Sequence, residues 1–569
     1  MMSQTRLSRL HAQAGQGDAE AQYRLGTLHE FGRELAQDYV EAVRWYRQAA
    51  DQGHAAAQNM LGIKYEKGYG VVQDHVEAVK WYRKAAWQGK ATAQHNLAVR
   101  YEFGKGVRKS YREAVKWYRK AAEQGNAAAQ NMLGKKYERG RGVTRDEQEA
   151  LHWYRQSAAQ GHADAQFNLG LMVAQRKEGS GMDPGALEWF LLAAAQGHLQ
   201  AQFTLAVCYA EGDGVGRDEQ EAVQWFRRVA RQGHAEAQFR LAGLLAKRGS
   251  AVWNEQEALQ WYRAAADTGN VEACYRVAVA YEYGKGVGRD DREAAVWFRK
   301  AAEGGHVVAQ CNLAVKYENG EGVAQNLLEA VHWLQQAAEQ GHAISQIWLG
   351  EMYEQGRGVG CDLTEAVKWY RKAAQKGHAE AQCKMGMAYE FGRGVRKDEP
   401  SALRWYRKAA ELGHPLAQCT LGVRYETGKG VAKDEREAML WYRQAAEQGH
   451  PLAQCNLGLM YENGRGGLTR NSHEAVRWLR RAAEQGHAAA QCYLGEKYEA
   501  GDGVVQSHEQ AVQWYRLAAE QGHAIGQVWL GEMYQVGKGV RRDEREAAHW
   551  YRLAAAQGNS LGQAWLNAR

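Results

Sequence analysis

The chain has 569 residues, Lys+Arg 73 against Asp+Glu 66 for a formal charge of +7, and a lopsided alphabet in which Gly 64 stands beside Pro 4 and Trp 20 beside Phe 9. Charged residues at 24% and hydrophobic ones at 45% exclude a disordered tail and a fibre. No apolar run of about eighteen residues occurs, which excludes a membrane-spanning helix, and no apolar leader core follows Arg6 and Arg9. The expectation is a cytoplasmic protein, with secretion by signals other than an apolar leader left open. A bias of this kind points to one short pattern copied many times.

In chain order, residues 1–18 come first, with a polar helix around Ser3 to Gly15 that aligns with a second helix of the repeat and is expected to cap the array. Tryptophan then sets the period. Trp45, Trp81, Trp117, Trp153, Trp189, Trp225, Trp261, Trp297, Trp333, Trp369, Trp405 and Trp441 are spaced by 36 residues, and Trp478, Trp514 and Trp550 follow after one step of 37. The extra residue falls in the glycine-rich loop 464–468, where no helix has to change register. Fifteen copies therefore span residues 19–559. Residues 560–569 begin another first helix with no partner, leaving Trp565 partly uncovered as an edge for self-association.

The copy at residues 55–90 shows the two-helix unit. Ala57, Leu61, Gly62 and Tyr65 fall at helical spacing in its first half, and Ala78, Trp81, Tyr82, Ala85 and Ala86 in its second. Gly68-Tyr69-Gly70 stops the first helix where a left-handed cap is wanted, and Gln88-Gly89 stops the second. A capping box such as Asp74/Glu77 opens the second helix in thirteen of the fifteen copies. The fifth copy offers Asp183-Pro184 instead, and the eleventh keeps Asp398 but has Ser401 where the acid belongs. Alanine and glycine at inward positions let helices approach closely. A single pair cannot bury its apolar face, so pairs must stack into an all-α solenoid.

These residues carry a family pattern. The array A-x-A-Q-x-x-L-G-x-x-Y-E-x-G-x-G-V followed by D-x-x-E-A-V-x-W-Y-R-x-A-A-x-Q-G-H, clear at residues 91–126 and 415–450, resembles the Sel-1-like repeat, a relative of the tetratricopeptide repeat. The resemblance covers nearly the whole chain. It implies a right-handed superhelix whose first helices line the concave side, acting as a non-catalytic scaffold or adaptor for other proteins. Residues 173–187 and 245–259, in the fifth and seventh copies, lose the Tyr and the Gly-x-Gly-Val loop, which puts the local curvature in doubt.

Candidate chemistry is sparse. Histidines at the turn before each first helix, among them His54, His198, His414 and His523, are too far apart from copy to copy to share a metal, and helix capping explains them. Cys311, Cys383, Cys419, Cys455 and Cys492 fill one column that elsewhere takes Phe, Ile or Asn, and adjacent copies are too distant for a disulfide. No nucleotide loop or metalloprotease motif appears, and the one Gly-x-Ser-x-Gly, at residues 558–562, is an ordinary turn between repeats. No cofactor and no metal are expected. The repeated Glu66, Glu102 and Glu138 are expected to accept loop amides.

Columns that vary between copies carry the functional reading. Counting the repeated Gln (Gln58 in the second copy) as zero, positions +2, +5 and +9 point away from the inward face, with +6 on a flank. Those four columns hold 14 Lys or Arg and 4 Asp or Glu. Lys64, Lys67, Arg100, Lys135, Lys136 and Arg139 form a basic group in the second to fourth copies. Trp348/Glu351, Tyr493/Glu496 and Trp529/Glu532 pair an aromatic with an acid in later ones. The expectation is a groove for protein or peptide ligands, basic at its amino-terminal part and aromatic and acidic at its carboxy-terminal part. RNA binding is the alternative from another class, opposed by the small net charge, and an exported envelope or host-interaction factor of the same family is a third. Hydrolase chemistry lacks a nucleophile with a base and an orienting group.

Overall fold

Each helix pair is started and stopped by its own sequence. In repeat 2, Asp74 accepts the amides of Val76 and Glu77 at 2.8 and 3.0 Å, opening helix B (His75–Trp87). His54 opens helix A (Ala55–Lys67) by accepting the Ala57 amide on Nδ1 at 3.1 Å. Gly68 closes helix A at φ +73. Gly70, also at φ +73, would bring a Cβ to 2.1 Å from the Tyr39 carbonyl of repeat 1, so the second glycine of the loop is required by close packing on the preceding pair.

The structure, a computed structural model, describes residues 4–32, 34–175 and 183–568. Among the described residues there are 32 helices and no strand: fifteen A/B pairs, from Ala19–Phe31 with Tyr39–Asp51 to Ala524–Val536 with Glu544–Ala556, preceded by Gln4–Gly15 and followed by Ser560–Asn567. The all-α solenoid of stacked pairs is thus the fold. The chain divides into two units, Met1–Ala273 with Lys285–Val287, and Cys274–Gly284 with Gly288–Arg569.

Within each unit the same glutamine ladder ties neighbouring pairs. Gln58, buried in helix A, donates to the Ala50 carbonyl at the end of the preceding helix B at 3.0 Å, and its own oxygen accepts from Gln88 at 2.8 Å. Gln454 repeats the arrangement with Ala446 and Gln485. Where the second glutamine is replaced by Thr268, Lys376 or Leu412, the buried oxygens of Gln238, Gln346 and Gln382 lack a partner among the described residues.

The irregular copies behave differently from one another. In the fifth, residues 176–182 lie outside the described ones, and Asp183 caps helix B through the Gly185 amide at 2.8 Å. In the seventh, helix A (Ala235–Leu245) is shortened, yet the Asn254 amide still closes back on the Leu245 carbonyl at 2.8 Å. Its loop is pinned to Glu219, whose carboxyl is held down to about 2 by Ser250, then Lys247. In the eleventh, Asp398 makes no side-chain cap bond. The inserted residue near 466 is absorbed between helices Pro451–Asn463 and Ser472–Glu484 without changing their register.

Candidate protein-binding surfaces

The +6 column is not a surface. Lys64 is 1% exposed, and Arg100 and Lys136 are buried with it. Lys64 pairs with Glu30 at 2.5 Å, Arg100 with Glu66 at 3.1 Å, and Lys136 with Glu102, each reaching back one repeat. The same glutamates accept the phenol of their own helix B: Tyr46 on Glu30 at 2.6 Å, Tyr82 on Glu66 at 2.7 Å and Tyr118 on Glu102 at 2.8 Å. Burial, with the adjacent carboxylates, pushes all three phenols far above their ordinary range. Lys316 with Glu282, Arg424 with Glu390 and Lys497 with Glu462 repeat the pairing in the other unit. Two expectations are thereby corrected. Lys64, Arg100 and Lys136 do not face a ligand, because their carboxylate partners draw them into the junction, and Glu66 and Glu102 hold phenols and cations where loop amides were expected; Glu138 likewise accepts Tyr154 at 2.6 Å.

The junction tolerates two substitutes. Where +6 is Met352, Ala388, Met460 or Met533, a cation from the following loop takes its place: Arg357 reaches Glu318 at 2.5 Å, Arg393 reaches Glu354 at 3.6 Å, Arg465 reaches Glu426 at 2.9 Å and Lys538 reaches Glu499 at 3.7 Å. In repeats 5–7 the acid is absent, replaced by Ala174, Ala210 and Ala246, and Phe190 and Phe226 replace two of the tyrosines.

What remains outside is smaller and differently composed. Six of the fourteen cations counted in the four columns belong to +6, so eight stay against four acids. Lys67 and Arg139, at +9, are exposed, and Lys135 is half-buried. The same +9 column holds Phe31 in repeat 1 and Phe103, 62% exposed, in repeat 3. Repeats 1–4 therefore present Phe31, Lys67, Phe103 and Arg139 in alternation. The two phenylalanines escape a reading that looks for basic residues in these repeats and for aromatics only beside an acid in the later ones.

In the second unit Trp348 is half-buried, and Glu351 is engaged by Lys384 of the next repeat at 2.5 Å. Tyr493, Glu496 and Glu532 are exposed. Trp529 is half-buried and stacks on Tyr515, ring centroids 6.4 Å apart. At the carboxy-terminal end Trp565 stacks on Tyr551 at 4.6 Å and donates its indole N–H to Gln535 at 3.0 Å.

The other repeated groups are structural in placement. Nine imidazoles, including His450 and His487, cap their helices through Nδ1 in the manner of His54. Burial pushes the thiols of Cys383, Cys419, Cys455 and Cys492 up to about 12. Among the described residues no group of His, Cys, Asp or Glu could hold a metal ion, and no helix is long and apolar enough to cross a membrane.

Fifteen consecutive segments, from residues 19–54 to 524–559, match the family model described as Sel1 repeat. A crystal structure of a protective antigen present in uropathogenic Escherichia coli strains, displaying an SLR fold, is 34% identical, covering 85% of this chain and 97% of its own with a TM-score of 0.55. A Sel1 repeat protein from Oxalobacter formigenes is 35% identical over 57% of this chain and 92% of its own, with a TM-score of 0.44. No curated protein matches the chain.

Proposed function

Because this chain belongs to the Sel1 repeat family, we propose that it is a non-catalytic scaffold that holds partner proteins on the faces of its A helices. One observation carries the reading: the exposed alternation of Phe31, Lys67, Phe103 and Arg139 along four successive repeats. Such a row offers apolar anchors with cations between them, a composition suited to an extended peptide with alternating apolar and acidic side chains. In the other unit Tyr493 with Glu496, and Trp529 with Glu532, provide a second surface of opposite charge.

Affinity capture with the intact chain tests this, comparing the wild type with Phe103→Ala/Lys67→Glu and with Tyr493→Ala/Trp529→Ala. The expected outcome is loss of one and the same captured protein from at least one double variant, reproduced with purified components. Unchanged capture by both variants overturns the proposal, and capture of RNA lost with Lys67→Glu moves the chain to the nucleic-acid class.

A further inference from the structure

The charge is also unevenly spread along the array. Residues 76–126 hold twelve Lys or Arg and four Asp or Glu, a surplus of eight, which exceeds the +7 of the whole chain. In the middle of this stretch stands Trp87, the last residue of helix B in repeat 2 and 70% exposed. Its equivalents in other repeats include Asp51, Glu123, Glu303, Glu339, Glu411 and Glu447, so the fold has no need of an indole there. Trp87 meets Trp117 of helix B in repeat 3 (Tyr111–Glu123) edge to face, centroids 5.5 Å apart at 87°.

The two rings stand at a depression of about 880 Å³ that Arg112, Lys116 and Lys120 also line. Lys120 holds its ammonium over both indoles, 4.7 Å from Trp117 and 5.4 Å from Trp87. In other repeats the equivalent lysine lies over a single indole, as with Lys84 on Trp81, Lys300 on Trp297 and Lys372 on Trp369. Lys120 and Arg112 have no carboxylate partner among the described residues. The site thus combines the exposed indole of Trp87 with a cation, Lys120, that is held in place by the two rings but not neutralised.

We propose that this helix-B face of repeats 2 and 3 docks an acidic peptide segment of a partner protein, with an aromatic or aliphatic side chain of the segment against Trp87 and its carboxylates on Lys120 and Arg112. Two features favour a peptide over a nucleic-acid strand. Glu113, 2.6 Å from Lys116, and Glu123 line the same depression and interrupt any continuous track for phosphates. An amphipathic acidic segment meets both the cations and the indoles without running past those two acids. The site is separate from the A-helix surfaces, so its failure leaves the scaffold proposal standing.

The test uses the full chain and a short fluorescein-labelled peptide of Glu and Phe, read by fluorescence anisotropy. Trp87→Glu installs the residue that many repeats carry at this position, so the fold is retained, and Lys120→Glu removes the shared cation. Each is expected to weaken binding about tenfold or more, as central anchors do. Lys372→Glu, the same change in the same column of another repeat, is expected to change it less than about twofold, since surface charge alone contributes little. Three results overturn the proposal: no saturable binding by the wild type, equal binding by Trp87→Glu, or an equal loss from Lys372→Glu. Tighter binding of a single-stranded oligonucleotide, lost with Trp87→Glu, assigns the site to nucleic acid and overturns it as well.

Discussion

In repeats 2–4 the junction between one repeat and the next is closed by a buried phenol, carboxylate and cation, as with Tyr118, Glu102 and Lys136. In repeats 5–7 the same positions hold Ala174, Ala210 and Ala246, with Met172, Cys208 and Leu244 in place of the cation. The polar solution pairs each cation with a carboxylate, and the apolar one has no cation at +6 to pair. The difference shows that the cation answers to the acid of the preceding repeat: Ala174 is matched with Cys208 and Ala210 with Leu244, so at these junctions neither half of an ion pair is left alone.

The largest effect should come from breaking one polar junction halfway. Lys136→Met, made together with Arg141→Ala so that the loop cation equivalent to Arg357 cannot take its place, leaves Glu102 with only Tyr118 and is expected to destabilise that junction by about 3–5 kcal/mol. Hydrogen–deuterium exchange of the peptides spanning residues 91–162 measures it, because a long array need not unfold in one step. Completing the conversion with Glu102→Ala and Tyr118→Phe should recover most of the loss, since that apolar combination is native to repeats 5 and 6. If the fully converted variant is no more protected than Lys136→Met/Arg141→Ala, the two solutions are not interchangeable.

Acid sharpens the comparison along another axis. Burial holds His414, His450, His487 and His523 below the ordinary imidazole range, with neighbouring imidazoles adding to it for His450 and His487. The folded state therefore favours the neutral ring. The stability this confers is present above the unfolded value of about 6.5 and is lost as pH falls below it. Each Nδ1 that takes up a proton also stops accepting a helix amide, worth about 1 kcal/mol per cap. Repeats 12–15 should lose exchange protection between pH 7 and 5, whereas repeat 4, capped by Asn126, should keep it. Equal losses in both places would remove the caps as the cause.

A smaller effect belongs to the glutamine ladder. Leu412→Gln supplies the missing donor to the buried oxygen of Gln382 and should stabilise repeat 11 by about 1 kcal/mol. Slower exchange confined to that repeat is the expected sign, and no change would mean that the oxygen is already satisfied.

Much of this was legible from the chain alone. Tryptophan spacing, capping boxes and glycine stops are local signals, and they carry the helix pairs, the loop insertion at 464–468 and the odd cap at Asp398. The surface was less legible. Lys64 and Lys67 look alike on a helical wheel, since both fall outside the Ala and Leu face, and what separates them is a partner 34 residues back. Glu30, Glu66 and Glu102 held that signal, because an acid stands at the same position of the preceding repeat for each of Lys64, Arg100, Lys136, Lys316, Arg424 and Lys497. Trp87 was hidden for a different reason. It lies at a B-helix end, outside the A-helix columns, although a tryptophan in a column rich in acids is visible in the sequence itself.

The separation of structural from available cations can be tested directly by footprinting the folded chain with a water-soluble acylating reagent and reading each lysine by mass spectrometry. Lys64 and Lys136 should react at least about tenfold more slowly than Lys67, on the exposed side, because an ammonium buried against a carboxylate inside a junction is not accessible to the reagent. Comparable labelling of all three would contradict the buried junctions and return the +6 column to the surface.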